Sequence, residues 1–174
     1  MIFITVGTEK FPFDRLARWI NCLMTEGFID EPVIFQSGSC LYQPTGVEVK
    51  PLLREADFRN YLQEARLVIT HCGDGTLRQL DRATTPYILV PRTVQFEEHV
   101  DDHQVELAQA LELLGVPVAW SLGDLVRFIA SPCCVTQRIF SHAPINQLCH
   151  DLEQRVAGES LAGELALSAL SSYQ

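Results

Sequence analysis

Short runs of aliphatic and β-branched residues alternate with longer helix-compatible stretches along most of this chain, and this alternation constrains the fold more than any other feature. The runs are nearly continuous in Val, Ile and Leu, as strands that are buried on both faces require. Strands that alternate with helices form βαβ units and a parallel sheet. The sequence therefore predicts an α/β, Rossmann-like fold, with a mostly parallel sheet and helices on both faces.

The boundaries of the predicted elements follow from these runs and from the residues that flank them. The predicted strands are Ile2–Val6, Val33–Gln36, Val47–Val49, Leu67–Thr70, Tyr87–Val90 and Val116–Ala119. The predicted helices are Phe13–Thr25, Asp57–Ala65, Leu77–Ala83, Val100–Leu114 and Leu122–Ala130. Gly115 is a suitable residue to end the fourth helix, and Ser121 is a suitable N-cap for the fifth.

Charge and composition exclude several classes of protein. The formal net charge of −9 argues against nucleic acid as a partner, because phosphate contacts need clustered Lys and Arg. No apolar run approaches the roughly 18 residues of a membrane-spanning helix, and the first residues lack the basic start of a secretion signal. Six cysteines at irregular spacing are typical of free thiols in a reducing compartment. We therefore expect a cytoplasmic protein.

The sequence indicates one main domain over residues 1–130 and a helical extension over residues 131–174. The extension is rich in leucine and alanine between Ile145 and Gln174. A helix with such a broad apolar face either packs on its own sheet or docks on a partner protein. Both interpretations stay open from the sequence.

Glycine-bearing turns follow three of the predicted strands, at the edge where open α/β sheets bind their ligands. A helix that begins directly after such a turn presents free N–H groups, which suit an anion such as the pyrophosphate of a sugar nucleotide. The turns match neither the dinucleotide fingerprint nor a P-loop, and the alternative is that they are plain strand–helix connections. The candidate residues in these turns are Gly7, Thr8, Gly38, Ser39, His71, Gly73, Gly75 and Thr76.

A polar block from Glu98 to Gln104 precedes or begins the fourth predicted helix. His99 and His103 are four residues apart and would share a helix face, with Asp102 or Glu98 as a further metal ligand. The glutamate is misplaced for a zinc-protease motif, so we predict no metal. Two other interpretations are a polar helix start and a pair of ligand donors, His103 and Gln104.

Taken together, these segments resemble the glycosyltransferase family 28 C-terminal domain. The segments are Val6-Gly7-Thr8, Pro12 to Leu16, Gln36 to Ser39, Thr70 to Thr76, Val90-Pro91-Arg92 and Glu98 to Gln104. The narrower resemblance is to small soluble subunits of two-piece transferases in lipid-linked oligosaccharide and exopolysaccharide assembly.

This resemblance implies half an enzyme. It implies the donor half of a GT-B glycosyltransferase, which takes a UDP-sugar such as UDP-N-acetylglucosamine as its substrate and needs no cofactor. The other half would be a membrane-anchored subunit that binds a lipid-linked sugar acceptor and recruits this chain to the cytosolic membrane face. The catalytic residues stay unidentified, and the general base is expected on the partner.

The resemblance also assigns roles to individual residues. It places diphosphate contacts at Gly7-Thr8, Gly73–Thr76 and His103-Gln104, and it includes Arg92 among the donor-binding residues. Gln79 stands where the family usually has a glutamate that binds the ribose, and Asp74 stands where a small or neutral residue is common. These two departures favour an alternative function, a non-catalytic subunit that enhances or stabilises its partner.

Overall fold

A computed structural model describes residues 1–80 and 83–132 of the chain. Its centre is a five-stranded, fully parallel sheet with the strand order β3-β2-β1-β4-β5. The strands are β1 (Ile2–Thr5), β2 (Val33–Gln36), β3 (Glu48–Lys50), β4 (Leu67–Thr70) and β5 (Tyr87–Leu89). This arrangement confirms the predicted α/β, Rossmann-like fold. The predicted helix between Ile145 and Gln174, and the extension beyond Pro132, lie outside the described residues.

The helices connect these strands and cover the sheet. They are α1 (Asp14–Thr25), α2 (Glu55–Glu64), α3 (Asp74–Leu80), α4 (His103–Leu113) and α5 (Leu122–Ala130), with a short 3₁₀ turn at Val94–Phe96. In the described part of the chain, none of the helices is both long and apolar enough to cross a lipid bilayer. The helix α3 begins three residues earlier than predicted, directly after the glycine turn.

Burial of the central strands explains their composition. All residues of β1, β2 and β4 are buried, because helices pack on both faces of the sheet. On one face, the α1 side chains Leu16 and Ile20 join the apolar core. On the other face, Phe3 packs edge-on against Phe58 of α2, with 5.3 Å between the ring centroids. Continuous apolar runs therefore fit this sheet better than alternating ones.

The predicted sixth strand at Val116–Ala119 is wrong as a strand. Only an isolated bridge forms there, between Val118 and Leu89. Gly115 ends α4 with φ +83°, as predicted, and Pro117 lacks an N–H group for a longer ladder. Ser121 then begins a capping box with Asp124, so the extended segment ends after one bridge.

Candidate functional site

A cleft of about 800 Å³ opens at the carboxyl ends of the strands. It lies beside the neighbouring strands β1 and β4. From β1 the chain adds β2 and β3 on one side of the sheet and then β4 and β5 on the other, and open α/β folds usually bind their ligands at such a point. Nine of the twelve candidate residues line this cleft: Gly7, Thr8, His71, Gly73, Gly75, Thr76, Gln79, His103 and Gln104. The structure thus brings together residues that are up to 97 positions apart in the chain.

The imidazole of His71 lies against two glycines. A Cβ atom added at Gly73 would be 2.0 Å from His71 Cε1, and one added at Gly7 would be 2.4 Å from His71 Nε2. Gly7 also has φ +78°, a conformation that side chains other than glycine adopt rarely. Both glycines are therefore required by the buried ring between the two turns, and not only by the turns themselves.

Burial sets the protonation of His71. Burial, with a further contribution from the nearby Arg92 cation, lowers the pKa of His71 to about 3. The imidazole is therefore neutral near pH 7 and carries one N–H donor and one acceptor nitrogen. Its Nε2 lies 3.4 Å from Thr76 Oγ1, and its buried Nδ1 has no hydrogen-bond partner among the described residues. A buried polar atom without a partner is unusual in a folded protein, and the ring that carries this one lines the cleft.

Gln104 links the two segments that directly follow β4 and β5. Its Oε1 accepts hydrogen bonds from the backbone N–H groups of Cys72, at 3.2 Å, and Arg92, at 3.3 Å. The residue is buried at the start of α4. The oxygen therefore has a positioning role at the base of the cleft, and the predicted role of Gln104 as a ligand donor, which concerns its side-chain N–H groups, stays a prediction.

Arg92 lies beneath the cleft and does not line it. The side chain is fully buried, and its two Nη atoms donate to the carbonyl oxygens of Val6, Phe11 and Glu98 at 2.6, 2.7 and 3.0 Å. The guanidinium also stacks on Phe13, with 4.8 Å to the ring centroid. Arg92 therefore fixes the backbone that leads into the Gly7 turn, and it does so from behind the site.

Gly38 and Ser39 also lie outside the lining of the cleft. A Cβ atom at Gly38 would be 2.4 Å from the carbonyl oxygen of Gly7, so this turn packs closely on the first one. Ser39 Oγ donates to the carbonyl oxygen of Glu9 at 2.7 Å. Both residues support the turn after β1 rather than face the cleft.

Asp74 and Gln79, the two residues that depart from the family pattern, both line the cleft. Asp74 is 54% exposed, and its Oδ2 lies 3.5 Å from Arg78 Nη2, so its carboxylate has a cationic neighbour at the surface. The amides of Asp74 and Gly75 form no hydrogen bond with any described residue, as expected for the first positions of a helix. Gln79 Oε1 is buried and has no partner among the residues that the structure describes.

Several residues of the cleft were not predicted from the sequence. Lys10 and Phe11 line it from the loop after Gly7, and Glu9 and Glu55 add carboxylates. With Asp74, the lining therefore has three carboxylates against one ammonium group. A charged loop with no glycine or histidine signature gives no sequence indication that it will face a site. An anionic ligand in this cleft depends mainly on neutral donors such as amides and imidazoles.

The Glu98–Gln104 block divides into anchoring and cleft-facing residues. Glu98 is buried and paired with Arg15 of α1, and Asp102 Oδ1 accepts hydrogen bonds from Thr93 and Val94. Both acids are therefore hydrogen-bonded within the protein, Glu98 through both carboxylate oxygens and Asp102 through Oδ1. His99 and His103 share the carboxylate of Asp101, a residue that no sequence pattern singled out.

Comparisons with known proteins agree with this geometry. Residues 1–126 match the model of the glycosyltransferase family 28 C-terminal domain. A similar protein is the UDP-N-acetylglucosamine transferase subunit ALG13 of Candida albicans, which is 22% identical over 92 residues, 53% of this chain and 30% of that protein. The chain thus spans about a third of the length of this curated relative.

Solved structures of two transferases share the fold. The MurG protein of Acinetobacter baumannii superposes with a TM-score of 0.51 and 14% identity, over 87% of this chain and 49% of MurG. The calicheamicin glycosyltransferase CalG4 superposes with a TM-score of 0.51 and 16% identity, over 95% of this chain and 44% of CalG4. The chain therefore has the fold of a part of these GT-B transferases. On the match over residues 1–126, the chain belongs to the glycosyltransferase family 28 C-terminal domain family.

Proposed function

We propose that this chain is the donor-binding subunit of an inverting glycosyltransferase that uses a UDP-sugar, UDP-N-acetylglucosamine in particular. The family supports transfer of a sugar, and the Candida albicans relative, a UDP-N-acetylglucosamine transferase subunit, supports this donor and a multi-subunit enzyme. The chain covers less than half of MurG and CalG4. A separate subunit that binds the acceptor would supply the missing half.

The cleft beside β1 and β4 carries the proposal. Its wall has the neutral imidazole of His71 and the unpaired amides of Asp74 and Gly75. These groups suit the diphosphate, because fixed neutral donors stabilise the charge that develops on departing UDP without a rearrangement of the site. The general base that accepts the proton of the acceptor hydroxyl belongs, in this proposal, to the partner.

The proposed acceptor is a lipid-linked sugar, and the proposed partner is membrane-anchored. Exposed apolar side chains beside the cleft support contact with another protein, since Val100 lines the cleft and remains largely exposed, and Phe96 is exposed nearby in sequence. The chain would act at the cytosolic membrane face through this partner.

The neutral amide of Gln79 favours a second candidate function, a non-catalytic subunit that stabilises or enhances the partner. The resemblance predicts a glutamate here, with two acceptor oxygens for the two ribose hydroxyls. Gln79 offers one acceptor oxygen and no charge, so it cannot form charge-assisted hydrogen bonds to both ribose hydroxyls. In this alternative the cleft binds no donor.

Calorimetric titration of the full chain with UDP and UDP-N-acetylglucosamine, in the presence of a chelator, tests the proposal. We expect one saturable site and tighter binding in the Gln79→Glu variant, by about tenfold, because a charge-assisted hydrogen bond is roughly twice as strong as a neutral one. Arg127→Gln serves as the matched control, because neither this exposed residue of α5 nor its ion-pair partner Asp124 lines the cleft. If neither the wild type nor the Gln79→Glu variant binds UDP or UDP-N-acetylglucosamine, alone or with the acceptor subunit, the result supports the enhancer function instead.

A further inference from the structure

Lys10 brings a positive charge to a cleft that is otherwise lined by neutral and acidic groups. Among the residues that the structure describes, it is the one lysine or arginine that lines the cleft. Its ammonium lies 5.2 Å from the centroid of the Phe11 ring, which also lines the cleft, and it forms no ion pair with a described residue. A cation over an aromatic ring at an exposed position is held only weakly, so a ligand can recruit the ammonium.

Two of the three carboxylates of the cleft have a cation outside it. Asp74 Oδ2 lies 3.5 Å from Arg78 Nη2, and Glu55 Oε1 lies 3.3 Å from Arg59 Nη2. Neither arginine lines the cleft. The third carboxylate belongs to the residue directly before Lys10, and it forms no ion pair with a described residue. The positive charge of Lys10 is therefore not committed to an acid of the protein.

The loop that carries Lys10 is fixed on both sides of this residue. Ser39 Oγ donates to the carbonyl oxygen of Glu9 at 2.7 Å, and the buried Arg92 donates from Nη1 to the carbonyl oxygen of Phe11 at 2.7 Å. These carbonyl groups belong to the residues directly before and after Lys10. The backbone is thus in place before a ligand binds, which lowers the cost of binding, while the four-carbon side chain can still adjust.

We propose that Lys10 binds the terminal phosphate of the diphosphate ligand and stabilises the charge that forms there when the sugar leaves. The inference rests on the proposed function for the identity of this ligand. In the transfer, the acceptor oxygen bonds to the anomeric carbon, and the bond from that carbon to the β-phosphate oxygen breaks with its electron pair left on oxygen. The acceptor proton goes to the general base of the partner. The β-phosphate gains one negative charge, so the ammonium stabilises departing UDP more than the bound donor.

This difference in charge separates the role of Lys10 from that of the neutral donors of the cleft. Near pH 8 the terminal phosphate of UDP carries about two negative charges, since its second pKa is about 6, whereas the β-phosphate of UDP-N-acetylglucosamine carries one. Coulomb energy is proportional to charge, so loss of the ammonium should reduce the binding free energy of UDP about twice as much. A purely structural role of Lys10 would affect both nucleotides by the same factor.

Calorimetric titration of the full chain and its Lys10→Met variant with UDP and UDP-N-acetylglucosamine at about pH 8 tests the proposal. We expect the variant to bind UDP about tenfold more weakly and UDP-N-acetylglucosamine about threefold more weakly. Lys10→Arg should keep most of the UDP affinity, because a guanidinium also binds phosphate. Lys50→Met is the matched control, because it removes the other lysine of the chain, which pairs with Glu48 and does not line the cleft.

Three results would overturn the role of Lys10: equal UDP affinity in the wild type and Lys10→Met, losses by the same factor for both nucleotides, or an equal loss in Lys50→Met. Thermal unfolding checks that each variant folds. A wild type that binds neither nucleotide contradicts the proposed function, and titration with inorganic pyrophosphate then decides about Lys10 separately. Weaker pyrophosphate binding by Lys10→Met supports Lys10 as the phosphate contact, whereas equal or absent binding overturns it.

Discussion

Arg15 donates two hydrogen bonds to the buried carboxylate of Glu98, from Nε at 2.9 Å and from Nη2 at 2.8 Å. The same guanidinium donates to the carbonyl oxygen of Pro91 at 2.8 Å. This pair joins α1 to the segment that carries His99 and His103, although the two residues are 83 positions apart. The geometry of one wall of the cleft therefore depends on a contact with the first helix.

Replacement of Arg15 by leucine should destabilise the protein strongly. The substitution leaves the Glu98 carboxylate buried without its cation, and breaking a buried pair in this way costs about 3 kcal/mol or more in the free energy of unfolding. Urea denaturation measures this loss. Arg54→Leu is the control, because the exposed Arg54–Asp57 pair should contribute nothing measurable. Equal stability of the two variants would show that Glu98 is not held by Arg15.

Gly73→Ala should destabilise the protein, whereas Gly75→Ala should not. The added methyl group at Gly73 would overlap the buried His71 ring, which also touches Gly7 and has little room to shift. Overpacking of this kind costs about 1–3 kcal/mol. No atom lies within 4 Å of the corresponding position at Gly75, and alanine favours a helix there. Thermal melting of the two variants compares them directly, and a stable Gly73→Ala variant would argue against the His71 contact.

The fold followed from local pattern, because a strand such as Leu67–Thr70 carries its own signature of burial on both faces. The glycine turns could also be predicted locally, because the glycines directly follow the apolar strand segments. By contrast, the roles of Arg92 and Gln104 depend on backbone groups that approach only in the folded chain. Composition and spacing do not indicate such contacts, so these positioning roles could not be predicted from the sequence. For the same reason, Asp101 did not stand out among the acids of its block.

The stability of the protein should fall between pH 6.5 and pH 5 because of His71. Its pKa is about 3 in the folded state and about 6.5 in an unfolded chain, so the unfolded state binds a proton that the folded state does not. Stability then decreases as the pH falls, by up to about 1.4 kcal/mol per pH unit. Urea denaturation of wild type and His71→Gln across this range isolates the effect. Parallel pH profiles for the two proteins would contradict the buried neutral imidazole.

Gly75→Val should abolish UDP binding and leave the protein folded. Gly75 lines the cleft, and a Cβ atom there meets open space rather than protein. A branched side chain would fill the space where a phosphate approaches the backbone, so the steric conflict arises with the ligand alone. Calorimetry with UDP measures the loss, and circular dichroism confirms the fold. Wild-type affinity would remove the phosphate site from this turn.

Arg92→Lys should weaken both stability and UDP binding, although Arg92 does not line the cleft. A lysine ammonium cannot reproduce the hydrogen bonds that the planar guanidinium donates to the carbonyl oxygens of Val6, Phe11 and Glu98. We therefore expect a loss of about 2–3 kcal/mol in the free energy of unfolding. The loop from Val6 to Phe11 would then lose its fixed position, and UDP affinity should fall with it. Calorimetry at a temperature where the variant remains folded separates the two losses. Reduced stability with unchanged UDP affinity would limit Arg92 to the core, whereas lost affinity at full stability would place its guanidinium on the ligand.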